Sequence, residues 1–155
     1  MPATKLREFL DANGVKYVTL HHSVAYTAQE VAASAHVRGK DMAKTVVVKV
    51  DGALAMAVVP AAQKVDVRRL KEATGAKIVE IAGEPDFRSA FPECDLGAMP
   101  PFGNLYGVAV YVDPQLAADE EIAFNACSHT ELMRLAYKDF ERLVKPRLVP
   151  LTFAR

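Results

Sequence analysis

The sequence predicts a mixed α/β (α+β) fold in a single compact domain, with a largely antiparallel central sheet flanked by helices. Its length of 155 residues is that of one ordinary domain. Apolar residues make up 51% of the chain and charged residues 25%, as in globular proteins that bury a core. Segments with strand and helix periodicity also alternate along the chain. We therefore expect one domain over residues 1–155.

The first elements are predicted by caps and by apolar spacing. A helix begins at Thr4, an N-cap residue, and ends near Gly14, while residues 15–20 alternate as a half-buried strand does. Thr27-Ala28-Gln29-Glu30 is a capping box that begins a second helix, which runs to about Ala35.

A hairpin over residues 43–59 is the clearest signal in the chain. Residues 43–50 and 53–59 are apolar, and Asp51-Gly52 between them is a tight-turn pair. The nearly continuous apolar character indicates strands buried on both faces. Asp66 then caps a third helix that ends at Gly75.

The second half is predicted to hold strands over residues 77–82, 107–112 and 121–126 and a short helix over residues 84–91. Residues 97–103 form a loop, because two prolines and two glycines interrupt regular structure there. Two interpretations remain for the segment after Ser128. Either Ser128 caps one long helix to Val144, or residues 131–136 form a strand and a helix begins at Tyr137.

The net charge argues against a protein that binds nucleic acid by bulk charge. The chain has 19 basic and 19 acidic residues. Residues 1–80 carry 12 basic and 8 acidic residues, a net charge of +4. A local basic surface is one interpretation, and an ordinary solvated surface is the other. The basic residues concerned are Arg38, Lys40, Lys44, Lys49, Lys64, Arg68, Arg69 and Lys71.

Common functional motifs are absent from the sequence. We find no membrane-length apolar stretch, signal peptide, phosphate-binding glycine loop, HExxH motif or serine-hydrolase elbow. We expect a cytoplasmic protein with no membrane partner, no cofactor and no metal ion. Cys94 and Cys127 are too few for a disulfide scaffold, and we expect two unpaired buried thiols. A zinc site with His129 has no recognised spacing.

Two features suggest a site. Lys44 begins the most apolar strand, so its ammonium either extends past the sheet edge into solvent or faces a cavity. The loop over residues 97–103 is either a structural turn or a close approach of backbone to a ligand. His21-His22 most simply ends a strand, and one of the two histidines can face a pocket.

Together these features resemble the YbaK family, which includes the editing domain inserted in bacterial prolyl-tRNA synthetases and its free-standing relatives. The resemblance covers nearly the whole chain. Because the family has a strand before its last helix, the resemblance favours a strand over residues 131–136. The matching motifs are Thr27-x-x-Glu30, Ala43-Lys44-Thr45, Val58-x-Pro60, Val65-Asp66-x-x-x-Leu70 and Gly97-Ala98-Met99-Pro100-Pro101-Phe102-Gly103.

The resemblance implies a trans-editing hydrolase, an aminoacyl-tRNA deacylase that maintains translation fidelity. Its substrate would be a small amino acid esterified to tRNA for proline or a related tRNA. The implied partner is the acceptor end of that tRNA, with an aminoacyl-tRNA synthetase as a second candidate and no DNA. One alternative is a non-catalytic tRNA- or synthetase-binding module with the same fold. Another is a hydrolase of small-molecule esters or thioesters.

The resemblance also implies the site. Lys44 matches the lysine tied to activity, and residues 97–103 match the loop that lines the pocket. The expected catalytic residues are Lys44, Gly97 and His129, the last as a candidate general base with a structural role as its alternative. The chain departs from the family pattern at residues 91–96 and 125–129. The expected substrate-binding residues are His22, Tyr26, Thr45, Pro100, Pro101, Phe102, Gly103 and Ser128.

Overall fold

The computed structural model describes residues 4–21, 41–87 and 89–153, within which the elements are numbered. The helices are α1 (Thr4–Ala12), α2 (Val67–Thr74), α3 (Glu84–Phe87), α4 (Pro114–Ala117) and α5 (Tyr137–Val144), with a 3₁₀ turn over Gly103–Leu105. The strands are β1 (Tyr17–His21), β2 (Ala43–Val50), β3 (Ala53–Pro60), β4 (Val79–Ile81), β5 (Ala109–Val112), β6 (Glu121–Asn125), β7 (Glu131–Ala136) and β8 (Arg147–Leu148). The helix predicted from Thr27 lies outside the described residues.

The described strands form two sheets. Strands β1, β7 and β6 make an antiparallel sheet in that order, and β4, β2, β3, β5 and β8 make a mixed sheet. In the mixed sheet, β5 runs parallel to both β3 and β8. A parallel bridge between Met42 and Ala123 joins the start of β2 to β6. The mixed α/β class is therefore confirmed, with mostly antiparallel pairing divided between two sheets.

The β2–β3 hairpin is buried on both faces, as predicted. Val47 and Val58 belong to the larger core, which contains residues of both sheets and the buried ring of Phe102. Val48 and Val59 belong to a second core on the opposite face, where Leu70 of α2 packs. Successive side chains of a strand point to opposite faces, so this division fixes the side of every residue in β2.

Local signals place most of the element ends. The Asp66 side chain accepts a hydrogen bond from the Arg68 backbone N–H, and Gly75 ends α2 with a φ of 72°. Residues 131–136 form a strand that pairs with β1 and β6, so the alternative of one long helix from Ser128 is wrong. The short elements α4 and β8 lie outside the predicted set. Asp113 caps α4 by accepting from the Gln115 N–H.

Within the described ranges, no helix is both long enough and apolar enough to cross a membrane.

Candidate active site

Residues 95–98 form a tight turn at the start of the predicted loop. The Ala98 N–H donates to the Asp95 carbonyl at 3.0 Å. Gly97, the third residue of the turn, has a φ of 83°, whereas Leu96 before it has no positive φ. A negative φ followed by a positive φ in a hydrogen-bonded turn is the pattern of type II, whose third residue is usually glycine. Gly97 therefore supplies the positive φ that this turn needs.

The connection between β6 and β7 packs directly on this turn. The Asp95 N–H donates to the Cys127 carbonyl at 2.8 Å, and the Cys127 N–H donates to the Ala98 carbonyl at 2.9 Å. His129 Nε2 lies 2.7 Å from the Leu96 carbonyl oxygen. Because a carbonyl only accepts hydrogen bonds, Nε2 carries the proton. The structure thus brings His129 and Gly97 together across 32 residues of sequence.

Ser128 lies in the same connection, but its hydroxyl serves the turn between β6 and β7. Ser128 Oγ accepts a hydrogen bond from the Thr130 N–H at 3.1 Å and lies 3.0 Å from Thr130 Oγ1. Ser128 is buried. Its role in substrate binding stays a prediction.

A disulfide between Cys94 and Cys127 adds a covalent link between the turn and the connection. The prediction of two unpaired thiols is wrong, because the two segments meet with the Cα atoms 4.0 Å apart. Tyr106 Oη lies 3.7 Å from Cys94 Sγ and 3.9 Å from Cys127 Sγ. Burial raises the pKa of Tyr106 to about 12, with a smaller contribution from Glu93. The phenol beside the disulfide therefore stays neutral at physiological pH.

The rest of the loop is anchored in the core. Pro100 and Pro101 are buried, and the Phe102 ring packs against Phe124 at 5.6 Å between centroids. A Cβ added to Gly103 would lie 2.6 Å from the Val108 carbonyl oxygen, so glycine is needed there for packing. The assignment of these four residues to substrate binding stays a prediction.

Lys44 and Thr45 lie on opposite faces of β2. By strand alternation, Thr45 shares the face of Val47 toward the larger core, and its buried hydroxyl has no partner in the described part of the chain. Lys44 shares the opposite face with Val46 and is half-buried. Its ammonium forms no hydrogen bond or ion pair with any described residue. Burial lowers the pKa of Lys44, and the charge of Lys64 lowers it further.

The start of β2, which carries Lys44, lies next to β6. The parallel bridge between Met42 and Ala123 makes residues 44–45 run beside the end of β6. That strand leads into the connection that carries His129. Gly97, Ser128 and His129 are therefore in one cluster, and Lys44 and Thr45 lie on β2, which runs next to the strand β6 that leads into this cluster. His22 and Tyr26 lie outside the described residues.

Several basic residues of the first half are engaged within the protein. Lys49 pairs with Glu80 at 3.2 Å, and Arg68 pairs with Asp66 at 3.3 Å. Arg69 donates to the Thr152 carbonyl at 2.9 Å. Among the described residues of the basic stretch, Lys44, Lys64 and Lys71 have neither an ion pair nor a side-chain hydrogen bond. Within this described part of the stretch, these three lysines are available to an anionic partner.

Two other findings concern possible ligands. The described residues contain no group of three or more His, Cys, Asp or Glu side chains that could hold a metal ion. A cavity of about 960 Å³, lined by Asp119, Tyr137 and Glu141 among others, contains none of the predicted site residues.

Comparisons with solved structures show the same fold. A candidate trans-editing enzyme for prolyl-tRNA synthetase is 20% identical, with a TM-score of 0.83 over 98% of this chain and 97% of that chain. A hypothetical protein is 18% identical, with a TM-score of 0.84 over 96% of this chain and 99% of that chain. A candidate signal transduction protein from Marinobacter aquaeolei is 14% identical, with a TM-score of 0.76 over 96% of this chain and 30% of that chain.

The sequence matches one protein family. No curated protein matches this chain. The family model described as the aminoacyl-tRNA editing domain matches residues 22–143, which include the start of β2, the Gly97 turn and the β6–β7 connection. This match confirms the resemblance expected from the motifs, and the chain belongs to the aminoacyl-tRNA editing domain family.

Proposed function

We propose that this protein is a trans-editing hydrolase that removes a small amino acid from mischarged tRNA, on tRNA for proline or a related tRNA. Membership of the editing family supports the reaction class, and the similar candidate enzyme for prolyl-tRNA synthetase supports the choice of tRNA. The observation that carries the proposal is the glycine turn with a free backbone N–H, which packs on the connection that follows β6, the strand next to the start of β2. We treat the chain as one domain that acts in the cytoplasm, where aminoacyl-tRNA is made and used.

The reaction requires few groups from the protein. Water attacks the ester carbonyl, a tetrahedral oxyanion forms, and the bond to the ribose oxygen then breaks as that oxygen takes up a proton. The Gly97 N–H donates to no described residue, and Gly97 is exposed. A fixed backbone N–H of this kind can stabilise the developing oxyanion. We therefore assign Gly97 to the oxyanion.

Lys44 supplies the positive charge in this scheme. A half-buried ammonium without an ion pair in the described structure gains more from an incoming anion than an exposed one, because the local dielectric is lower. We assign it to the phosphate or ribose of the terminal nucleotide, or to the ester carbonyl. Lys64 and Lys71 extend the basic surface toward the acceptor end. A synthetase that delivers the substrate would be a second partner.

Selection of the amino acid is assigned to the shape of the pocket. One methylene changes binding by only about 1–3 kcal/mol, so a small pocket works by excluding larger side chains. We propose that Thr45, Pro100, Pro101 and Ser128 contribute to its wall, together with His22 and Tyr26.

The direct test is release of labelled alanine, serine or cysteine from mischarged tRNA for proline, with a small-molecule ester as a parallel substrate. We expect release of one amino acid from tRNA, and a loss of about 100-fold or more in Lys44→Ala, the scale of one positioned catalytic group. Lys138→Ala, which removes an exposed lysine on α5 outside the basic stretch, should retain the activity. No release from any tRNA, or full activity in Lys44→Ala, would contradict the proposal.

A further inference from the structure

The Leu96–Gly97 peptide is the central peptide of the type II turn, and its orientation is not fixed by the turn itself. Type I and type II turns have the same ends but differ in the central peptide. The ψ of the second residue changes from about −30° to about 120°, and the φ of the third from about −90° to about 80°. Turning this peptide over reverses the directions of the Leu96 C=O and the Gly97 N–H.

The ends of this turn are held by contacts other than His129. The disulfide holds Cys94, and the two backbone hydrogen bonds to Cys127 hold Asp95 and Ala98. None of these contacts acts on the peptide between Leu96 and Gly97. Both of these residues are exposed, so the peptide lies at the surface and is not held by packing in the core.

His129 is the residue that contacts the central peptide. Its Nε2 donates to the Leu96 carbonyl at 2.7 Å, and a Cβ built on Gly97 would lie 3.6 Å from its Cε1. In a trans peptide the N–H points away from the C=O, so the Gly97 N–H points away from the histidine ring. The hydrogen bond also occupies the nitrogen that a histidine base would otherwise offer through Nε2.

We propose that His129 is a positioning residue, which holds the Leu96–Gly97 peptide in the type II orientation so that the Gly97 N–H faces the substrate. The catalytic role expected for His129 from the sequence is thereby replaced by action through the glycine. This inference rests on the proposed function for its consequence in catalysis. Its structural part, the orientation of the peptide, is independent of the reaction.

The test compares His129→Gln with His129→Ala. Glutamine retains an N–H donor at nearly the reach of Nε2 but cannot act as a base, whereas alanine removes the donor. We expect His129→Ala to lower kcat by up to about fivefold, the effect of one ordinary hydrogen bond on a two-state equilibrium, with KM little changed. His129→Gln should restore most of kcat, and its pH profile should superimpose on that of the wild type. A loss of about 100-fold in both variants would identify a general base and overturn the proposal.

A second readout does not depend on activity. The nuclear Overhauser effect between the Leu96 Hα and the Gly97 amide proton is strong in a type II turn and weak in type I, because ψ near 120° brings the two protons together. We expect it to be strong in the wild type and in His129→Gln, and weaker in His129→Ala. An unchanged effect in His129→Ala would overturn the positioning role. If the wild type deacylates no tRNA, the proposed function fails, and this measurement still decides the present inference.

Discussion

At the scale of single residues, Lys44 has a lowered pKa at the candidate site. Burial lowers its pKa, and repulsion by Lys64 lowers it further. If the ammonium binds the substrate, activity falls as the pH rises through this lowered pKa. The alkaline limb of the activity profile therefore lies below that of an ordinary lysine.

Removing Lys64 tests this relation. Lys64→Met should raise the pKa of Lys44, because one of its two causes of lowering is gone. The alkaline limb of kcat/KM should then move to higher pH. Lys71→Met, which removes a lysine without a part in that shift, serves as the control. If the alkaline limb of kcat/KM does not shift in Lys64→Met, or shifts equally in both variants, titration of Lys44 does not cause the pH dependence.

The sequence could predict which residues are unusual, but not which of them meet. The position of Lys44 in an apolar strand and the glycine at position 97 are local facts, and both marked the candidate site. The contact of His129 with Leu96 joins residues 33 positions apart and depends on how two loops pack. Spacing in the sequence carries no sign of such a contact. The disulfide between Cys94 and Cys127 was missed for the same reason.

At the scale of elements, that disulfide ties the Gly97 turn to the β6–β7 connection. It closes a loop with a sequence separation of 33 residues. The chain-entropy relation gives about 4 kcal/mol of stabilisation for a loop of this size, because the cross-link restricts the unfolded chain. We expect reduction to lower the free energy of unfolding by up to about that amount.

Urea unfolding with and without a reductant measures this contribution. The double variant Cys94→Ser with Cys127→Ser should unfold at the same urea concentration in both conditions. Equal stability of the oxidised and reduced wild-type protein would show that the link does not stabilise the fold. Disulfides are uncommon in reducing compartments, so the number of free thiols in the protein isolated from cells would show whether this link forms there.

Elements with strong local signals were predicted well. The β2–β3 hairpin has a turn pair, and α2 has both of its caps in the sequence. The strand β7 followed from the family pattern, since its sequence alone also allowed a helix. The short strand β8 and the division into two sheets were missed because pairing over long distances determines them.

At the scale of the whole molecule, a formally neutral chain retains a few cations for a partner. Within the described part of the basic stretch, Lys49, Arg68 and Arg69 are engaged within the fold, which leaves Lys44, Lys64 and Lys71 with neither an ion pair nor a side-chain hydrogen bond. A group of this size suits a limited contact with the end of a nucleic acid, since the salt dependence of binding grows with the number of phosphates contacted. Under the proposed function, such a contact would also permit release of correctly charged tRNA.

The central claim is that the substrate binds where the Gly97 turn meets the β6–β7 connection, beside the start of β2. Binding of an amide-linked aminoacyl-adenosine, which cannot be hydrolysed as an ester, tests it by amide chemical shifts, with adenosine as the control. We expect changes at Lys44, Gly97 and His129 that adenosine alone does not fully reproduce. Changes confined to the cavity lined by Tyr137 and Glu141, or no changes at all, would contradict the account.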